Sequence, residues 1–208
     1  MVRLLLVRHC QSTWNSQGRI QGQQDPPLSA EGEAQARAIG ERLRAESLGA
    51  IYCSDLARSY DTAQAIGAFH DLVAVRDRDL RERGYGAWEG QRLADLMGNT
   101  ADWEQHRHNP QWAPAGAENG PALYQRTQAA LRRIVHRHEG ETVAVVMHGG
   151  GLRMYFCHLF GLTLEHYWQV NVAHASLSIV DWHETVPTLI LWNDSHHVTS
   201  IPAASTIY

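Results

Sequence analysis

The chain of 208 residues contains no lysine; all 18 of its basic residues are arginine, a bias that reads as genomic base composition. It has little cysteine. Cys10, Cys53 and Cys157 are three, far apart and without a CxxC pair. That excludes a disulfide framework and points to a reducing compartment, with cytoplasm as the expected location. No apolar run approaches the ~18 residues that a membrane span needs. The N-terminal apolar stretch is too short for a signal peptide and is broken at Arg8. Positive charge is not in excess. The formal net charge is −4, so the basic field of a nucleic-acid binder is missing. There is no HExxH, and the histidine pairs His106/His108, His136/His138 and His196/His197 stand at i,i+2, which on a helix face different ways. The glycine run Gly149–Gly151 is not followed by Lys-Ser/Thr, so it is no P-loop. Metal and cofactor sites are not expected.

What is present is a soluble globular composition, 44% hydrophobic and 19% charged, sized for one domain over residues 1–208. Short apolar runs alternate with helical periodicity. Strands are expected at Leu4–Val7, Gly49–Cys53, Leu72–Val75 and Thr142–Met147, with a closing pair at Ala175–Trp182 and Thr188–Trp192. Helices are expected at Ala30–Glu46, capped by Ser29, at a segment capped by Ser54 or Asp55 and running to Phe69, at Ala122–His138 and at Leu152–Phe160. Asp77–Gly90 and Asn99–Asn119 read as loops. This order implies an α/β fold: three layers, α/β/α, around a mainly parallel sheet. There is no internal repeat, linker or low-complexity tract.

In such a sheet ligands bind at the carboxyl ends of the strands. Reactive side chains collect there. Arg8 and His9 end the first strand, Arg58 lies early in the helix after the second, and His148 ends the fourth. Glu82 lies in the loop after the third. Taken singly, each has an ordinary structural role, such as a surface ion pair of Glu82 with Arg81 or Arg83, which is worth little. Taken together, two guanidiniums, two imidazoles and a carboxylate fit in-line transfer of a phosphoryl group. The arginines hold the dianion, a neutral imidazole attacks, and the carboxylate handles the proton. Ser12, Thr13 and Asn15 add donors beside them.

The motifs LVRHCQSTWN, GRIQGQQDPPLSAEGEAQA, CSDLARSYDTA, LRERGYGAWEG, AGAEN and VAVVMHGG, in this order, resemble the histidine phosphatase superfamily, which includes cofactor-dependent phosphoglycerate mutases and many small phosphatases. The resemblance spans nearly the whole chain and implies a phosphoglycerate mutase-like fold. It implies His9 as nucleophile, Arg8 and Arg58 as its arginines, Glu82 as acid/base and His148 as the second histidine. It also implies substrate contacts at Ser12, Asn15, Gln21 and Gly22. Read from the residues themselves, the Gly149–Gly151 run offers backbone N–H groups at a helix start, an anion site of general kind, and Arg83 can grip a carboxylate. The family glycine after the nucleophile is Cys10 here, and its glutamate is Gln11. Were φ positive at position 10, a side chain would cost ~1–2 kcal/mol; an ordinary angle is expected. A cysteine-phosphatase reading fails because its arginine position holds Ser16. Leu93 stands where the mutases place a lysine, their later paired arginines have no counterpart in 103–114, and Trp88-Glu89-Gly90 is phosphatase-like. Hydrolysis of a small phosphorylated metabolite is therefore expected. The alternatives are a 2,3-bisphosphoglycerate-dependent phosphoglycerate mutase and a non-catalytic member that binds a phosphorylated ligand or a protein. Substrate identity and oligomeric state stay open.

Overall fold

A computed structural model describes residues 1–98, 100–184 and 186–198. Its strands are β1 (Val2–Arg8), β2 (Leu48–Cys53), β3 (Val75–Arg76), β4 (Thr142–Met147), β5 (Leu177–His183) and β6 (Val186–Asp194). Its α-helices are α1 (Thr13–Ser16), α2 (Ala30–Leu43), α3 (Ala57–Gly67), α4 (Leu93–Gly98), α5 (Thr100–His108), α6 (Gly120–Arg137) and α7 (Gly149–Leu159). The strands form one sheet in the order β3-β2-β4-β1-β5-β6. The first four are mutually parallel; β5 is antiparallel to β1, and β6 is antiparallel to β5. The fold is the expected α/β type with a mainly parallel sheet.

Both faces of the central strands are apolar, so side chains alternate between two cores. Leu4 and Leu6 of β1 pack with Val143, Val145 and Met147 and with Leu131, Ile134 and Leu152 of α6 and α7. Leu5 and Val7 pack with Ala144 and Val146 and with Ile39, Leu43, Ala63 and Ile66 of α2 and α3. Burying a Leu or Ile side chain contributes about 1.5–3 kcal/mol, so these two layers hold the sheet between the helices. The register then sets the site. Arg8 pairs with Met147 and Cys53 with Val146, so β1, β2 and β4 end at one level.

Several boundaries differ from the sequence reading. The first helix stops at Leu43, short of Glu46. Helix α3 starts at Ala57, with Leu56 as its cap. Ser54 accepts instead from the Leu56 N–H, and both carboxylate oxygens of Asp55 are taken by Arg81 (2.6 and 2.7 Å). The third strand is a two-residue edge piece shifted to Val75–Arg76. Asp77–Gly90 contains two single 3-10 turns, Arg78–Leu80 and Gly86–Trp88. Of the expected loop 99–119, Asn99 lies outside the described residues, and Thr100–His108 is helical. Among the described side chains of that helix, 101–108, only Trp103 and His106 are buried, which gives too little apolar periodicity to read. Pro187 lies inside β6, an edge strand where a missing N–H is tolerated. Among the described residues no helix is long and apolar enough to cross a membrane.

Candidate active site

The chain leaves β1 through His9, whose backbone N–H donates to Met147 O (2.9 Å). The ring's Nδ1 lies 2.7 Å from the Cys10 carbonyl oxygen. A carbonyl only accepts, so Nδ1 carries the proton and the lone pair is on Nε2. The ring is 2% exposed. Burial, followed by the nearby His148, Arg58, Arg8 and His174, pushes its pKa well below the ordinary 6.5. At neutral pH it is therefore an uncharged base.

His148 caps α7 and is fully buried, its ring centroid 4.9 Å from that of His9. A third imidazole joins them. His174 precedes β5, stacks 5.7 Å from His9, and through Nε2 accepts from Arg8 Nη2 (2.8 Å). Sequence reasoning missed it. Arg8 also donates to the Val172 carbonyl. Arg58 is fully buried and donates to Gln24 O and Gly22 O, both at 2.8 Å, so it fixes the loop after α1. Burial lowers the pKa of each arginine to about 10, which leaves both charged at neutral pH. The Nε of each is buried with no hydrogen-bond partner in the protein, as are both nitrogens of His148. Unmet buried donors beside a pocket suit an anion.

Glu82 faces these arginines, and its charge acts on both. Its carboxylate accepts from Arg83 N–H (2.7 Å) and from Gly150 N–H at the start of α7 (3.1 and 3.2 Å). It makes no ion pair with Arg81 or Arg83. Arg126 holds the loop behind it. Its guanidinium pairs with Glu118 and donates to the carbonyls of Asp79, Arg81 and Glu82. Helix α7 starts at Gly149, three residues before the expected start at Leu152. Glycine is a poor helix former, and the reason for it here is space. A Cβ on Gly150 would sit 2.1 Å from Glu82 Oε1. Gly150→Ala is thus expected to displace the carboxylate and lower kcat by about 10²–10³, most for poor leaving groups. Rates on alkyl and nitrophenyl phosphates check this; a change below twofold would refute it.

The remaining predicted contacts divide into two groups. Asn15, Gln21, Gly22 and Gly149 line the pocket with Arg8, His9, Arg58 and Glu82. Ser12 and Arg83 do not. The Ser12 hydroxyl is buried behind the lining, 2.7 Å from Gln21 Oε1 and 3.0 Å from Asn15 Oδ1, within a capping box that sets both amides. Arg83 is 3% exposed and turned away, donating to Glu118 O and Trp112 O. Gly22 has φ +53°, and a Cβ there would meet Glu89 Oε1 at 2.0 Å. Glu89, noted in the sequence only as part of Trp88-Glu89-Gly90, accepts from the N–H groups of Gln23 and Tyr85 and so ties their two loops together. Cys10 is fully buried, its backbone φ is not positive, and burial raises its thiol pKa to about 12. The departure from the family glycine therefore carries no left-handed strain, and the thiol stays protonated. The same pocket is lined as well by the rings of Tyr85, Trp103, His106, Tyr167 and Trp168. The whole space measures about 780 Å³ with its open mouth. Among the described residues no cluster of His, Cys, Asp or Glu could hold a metal ion.

Residues 4–195 match the family model of the histidine phosphatase superfamily, branch 1. The chain belongs to that superfamily. Phosphoserine phosphatase 1 of Hydrogenobacter thermophilus is 32% identical over 202 residues, covering 95% of each chain. A metal-independent phosphoserine phosphatase of Arabidopsis thaliana is 34% identical over 208 residues, covering 97% of this chain and 85% of its own. Relatives named phosphoglycerate mutase-like protein 4, of Arabidopsis thaliana, and probable phosphoglycerate mutase GpmB, of Yersinia enterocolitica, match as well, at 37% and 33% identity over 72% and 89% of this chain and 67% and 87% of their own. The solved structure of Bacillus stearothermophilus YhfR superposes with a TM-score of 0.90 at 31% identity, over 95% of this chain and all of that one. The phosphoglycerate mutase-like architecture of this superfamily member is thereby established.

Proposed function

We propose that this superfamily member is a metal-independent phosphomonoesterase that forms a phosphohistidine on His9 and acts on a small phosphorylated metabolite. One observation carries the reading. The ring of His9 is locked by the Cys10 carbonyl with its Nε2 lone pair unprotonated, in a pocket shared with two buried arginines and Glu82.

The chemistry follows from that geometry. Arg8 and Arg58 neutralise the non-bridging phosphate oxygens, which are otherwise a barrier to any nucleophile. Asn15, Gln21, Gly22 and Gly149 contact the same end, and Ser12 positions the two amides. His9 Nε2 attacks phosphorus as the bond to the alcohol oxygen breaks. Glu82 gives that oxygen its proton. Water then attacks the phosphohistidine, its proton passes to Glu82, and the N–P bond breaks to release orthophosphate. His148 and His174 keep His9 in place. Leu93 lines the pocket where a mutase would carry a lysine, which favours water over a second substrate as acceptor.

The test is hydrolysis of p-nitrophenyl phosphate in EDTA with rapid-quench labelling. An acid-labile, base-stable label on the His9 peptide is expected. No turnover on any phosphomonoester, or a label on another residue, would overturn the proposal.

A further inference from the structure

A second, smaller cavity shares His106, Tyr167 and Trp168 with the catalytic pocket. Its lining adds Arg83, Arg107 and Gly120, and contains no carboxylate. Arg83 is buried, yet it forms no ion pair among the described residues. Its Nε and Nη2 donate to the carbonyls of Glu118 and Trp112, and Nη1 has no hydrogen-bond partner among the described residues. The carboxylates around it are engaged elsewhere. Glu118 pairs with Arg126, Glu104 with His108, and Glu82 accepts from backbone N–H groups. A buried cation without a counter-ion is costly, and the cost falls when an anion arrives.

Two further groups in the lining point the same way. His106 is 3% exposed, and neither of its ring nitrogens has a hydrogen-bond partner. Burial, and then Arg83, lowers its pKa to about 3, so the ring is neutral and offers one N–H. Gly120 is the first residue of the 18-residue helix α6. Its own N–H is held by Pro110 O, so the helix contributes through the positive end of its dipole. We infer that this cavity is a second anion site, separate from the catalytic pocket, that takes a phosphate-type dianion as a free ion. Arg83 Nη1, the His106 N–H and the exposed Arg107 guanidinium supply the donors. Two guanidiniums match two negative charges, where a carboxylate would leave one unmatched. The cavity measures about 240 Å³ with its mouth, against about 780 Å³ for the catalytic pocket, which suits an ion and not a whole metabolite. The bound ion would join His106 and Arg107 of α5 to Arg83 and to the start of α6. Trp103 and His106 of α5 also line the catalytic pocket, so the ion steadies one side of it.

The probe is orthophosphate itself. No turnover is needed, so failure here and failure of the phosphatase reading are separate results. Equilibrium dialysis with labelled orthophosphate is expected to find two ions per chain. Ring-nitrogen NMR tells the sites apart, with His9 reporting the catalytic pocket and His106, assigned with His106→Phe, the second cavity. Arg107→Glu changes an exposed side chain and spares the core. It should weaken the step seen by His106 about tenfold or more and leave the step seen by His9 unchanged. Arg83→Gln should do the same, and Arg107→Lys, which keeps the charge, should restore binding to within about threefold of wild type. Orthophosphate should also slow amide hydrogen exchange over residues 100–108 in the wild type and not in Arg107→Glu. One ion per chain, or a second step that survives both Arg107→Glu and Arg83→Gln, overturns the site. Displacement of the second ion by acetate as readily as by sulfate overturns the assignment to a dianion. Unchanged exchange over 100–108 overturns the link to α5.

Discussion

Alanine at position 9 is expected to lower kcat on p-nitrophenyl phosphate by at least about 10⁴-fold, with orthophosphate binding retained. The two effects separate because the two tasks fall to different atoms. In the proposed mechanism the anion is held by Arg8 and Arg58, whose guanidiniums are fixed by Val172, His174, Gly22 and Gln24 and not by His9. The bond to phosphorus depends on one nitrogen, and removal of a nucleophile in a covalent mechanism can cost about 10⁶-fold. A residual rate remains because the arginines still polarise the ester for attack by water. His148→Ala should cost less, about 10²-fold, since His148 packs on His9 and does not line the pocket. Steady-state rates and equilibrium dialysis with phosphate check both. If His9→Ala kept more than a few per cent of the wild-type kcat, the covalent route would be untenable.

How far the site was legible depended on which chemical signal each residue carried. Arg8, His9 and His148 follow strongly apolar strands, so their place on the rim follows from the parallel register. Arg58 and Glu82 could be placed by the turn that precedes each. His174 gave no comparable signal, yet the topology contains one. An antiparallel strand begins where its parallel neighbours end, so the residues before β5 lie beside the end of β1. Reading the last two strands as antiparallel would have brought His174 to the rim. Glu89 and Arg126 were opaque for another reason. They act on backbone N–H and carbonyl groups of loops, and such contacts have no sequence period. The triple glycine misled in the opposite direction. Its low helix propensity moved the expected start of α7 to Leu152, whereas close approach of Glu82 to the helix backbone calls for a residue without a side chain at Gly150. In α5 the apolar face is two residues wide, so its helix came from packing onto Trp88 and Trp168 and not from pattern.

The second large effect concerns stability in mild acid. His9, His106, His148 and His174 are all buried with pKa values below the ordinary range, that of His106 at about 3. Burial is the leading cause in each, and neighbouring arginines act in the same direction. In the unfolded chain each returns to about 6.5. As pH falls below that value the unfolded state binds protons that the folded state refuses, so unfolding becomes easier. The stabilisation is fully present above pH 6.5 and is lost as pH drops toward the folded values. Each group contributes about 1 kcal/mol of loss between pH 6.5 and 5.5, and four together about 4 kcal/mol. Against a typical total of about 5–15 kcal/mol this is a large share. The carboxylates paired with arginine, Asp55 and Asp181, have lowered pKa values and act only below about pH 4, outside that window. Urea unfolding at pH 7.5, 6.5 and 5.5, in buffers free of phosphate, should show the midpoint falling steeply over the last interval. His174→Gln should reduce that dependence, because one of the proton-binding differences is gone, while the other buried histidines, with His158 and His197 whose pKa values are lowered as well, supply the rest. A midpoint independent of pH across this range would mean that the rings titrate in place. The acid limb of activity is then expected to follow the unfolding midpoint, because burial holds the pKa of His9 below the ordinary imidazole range only while the fold is intact.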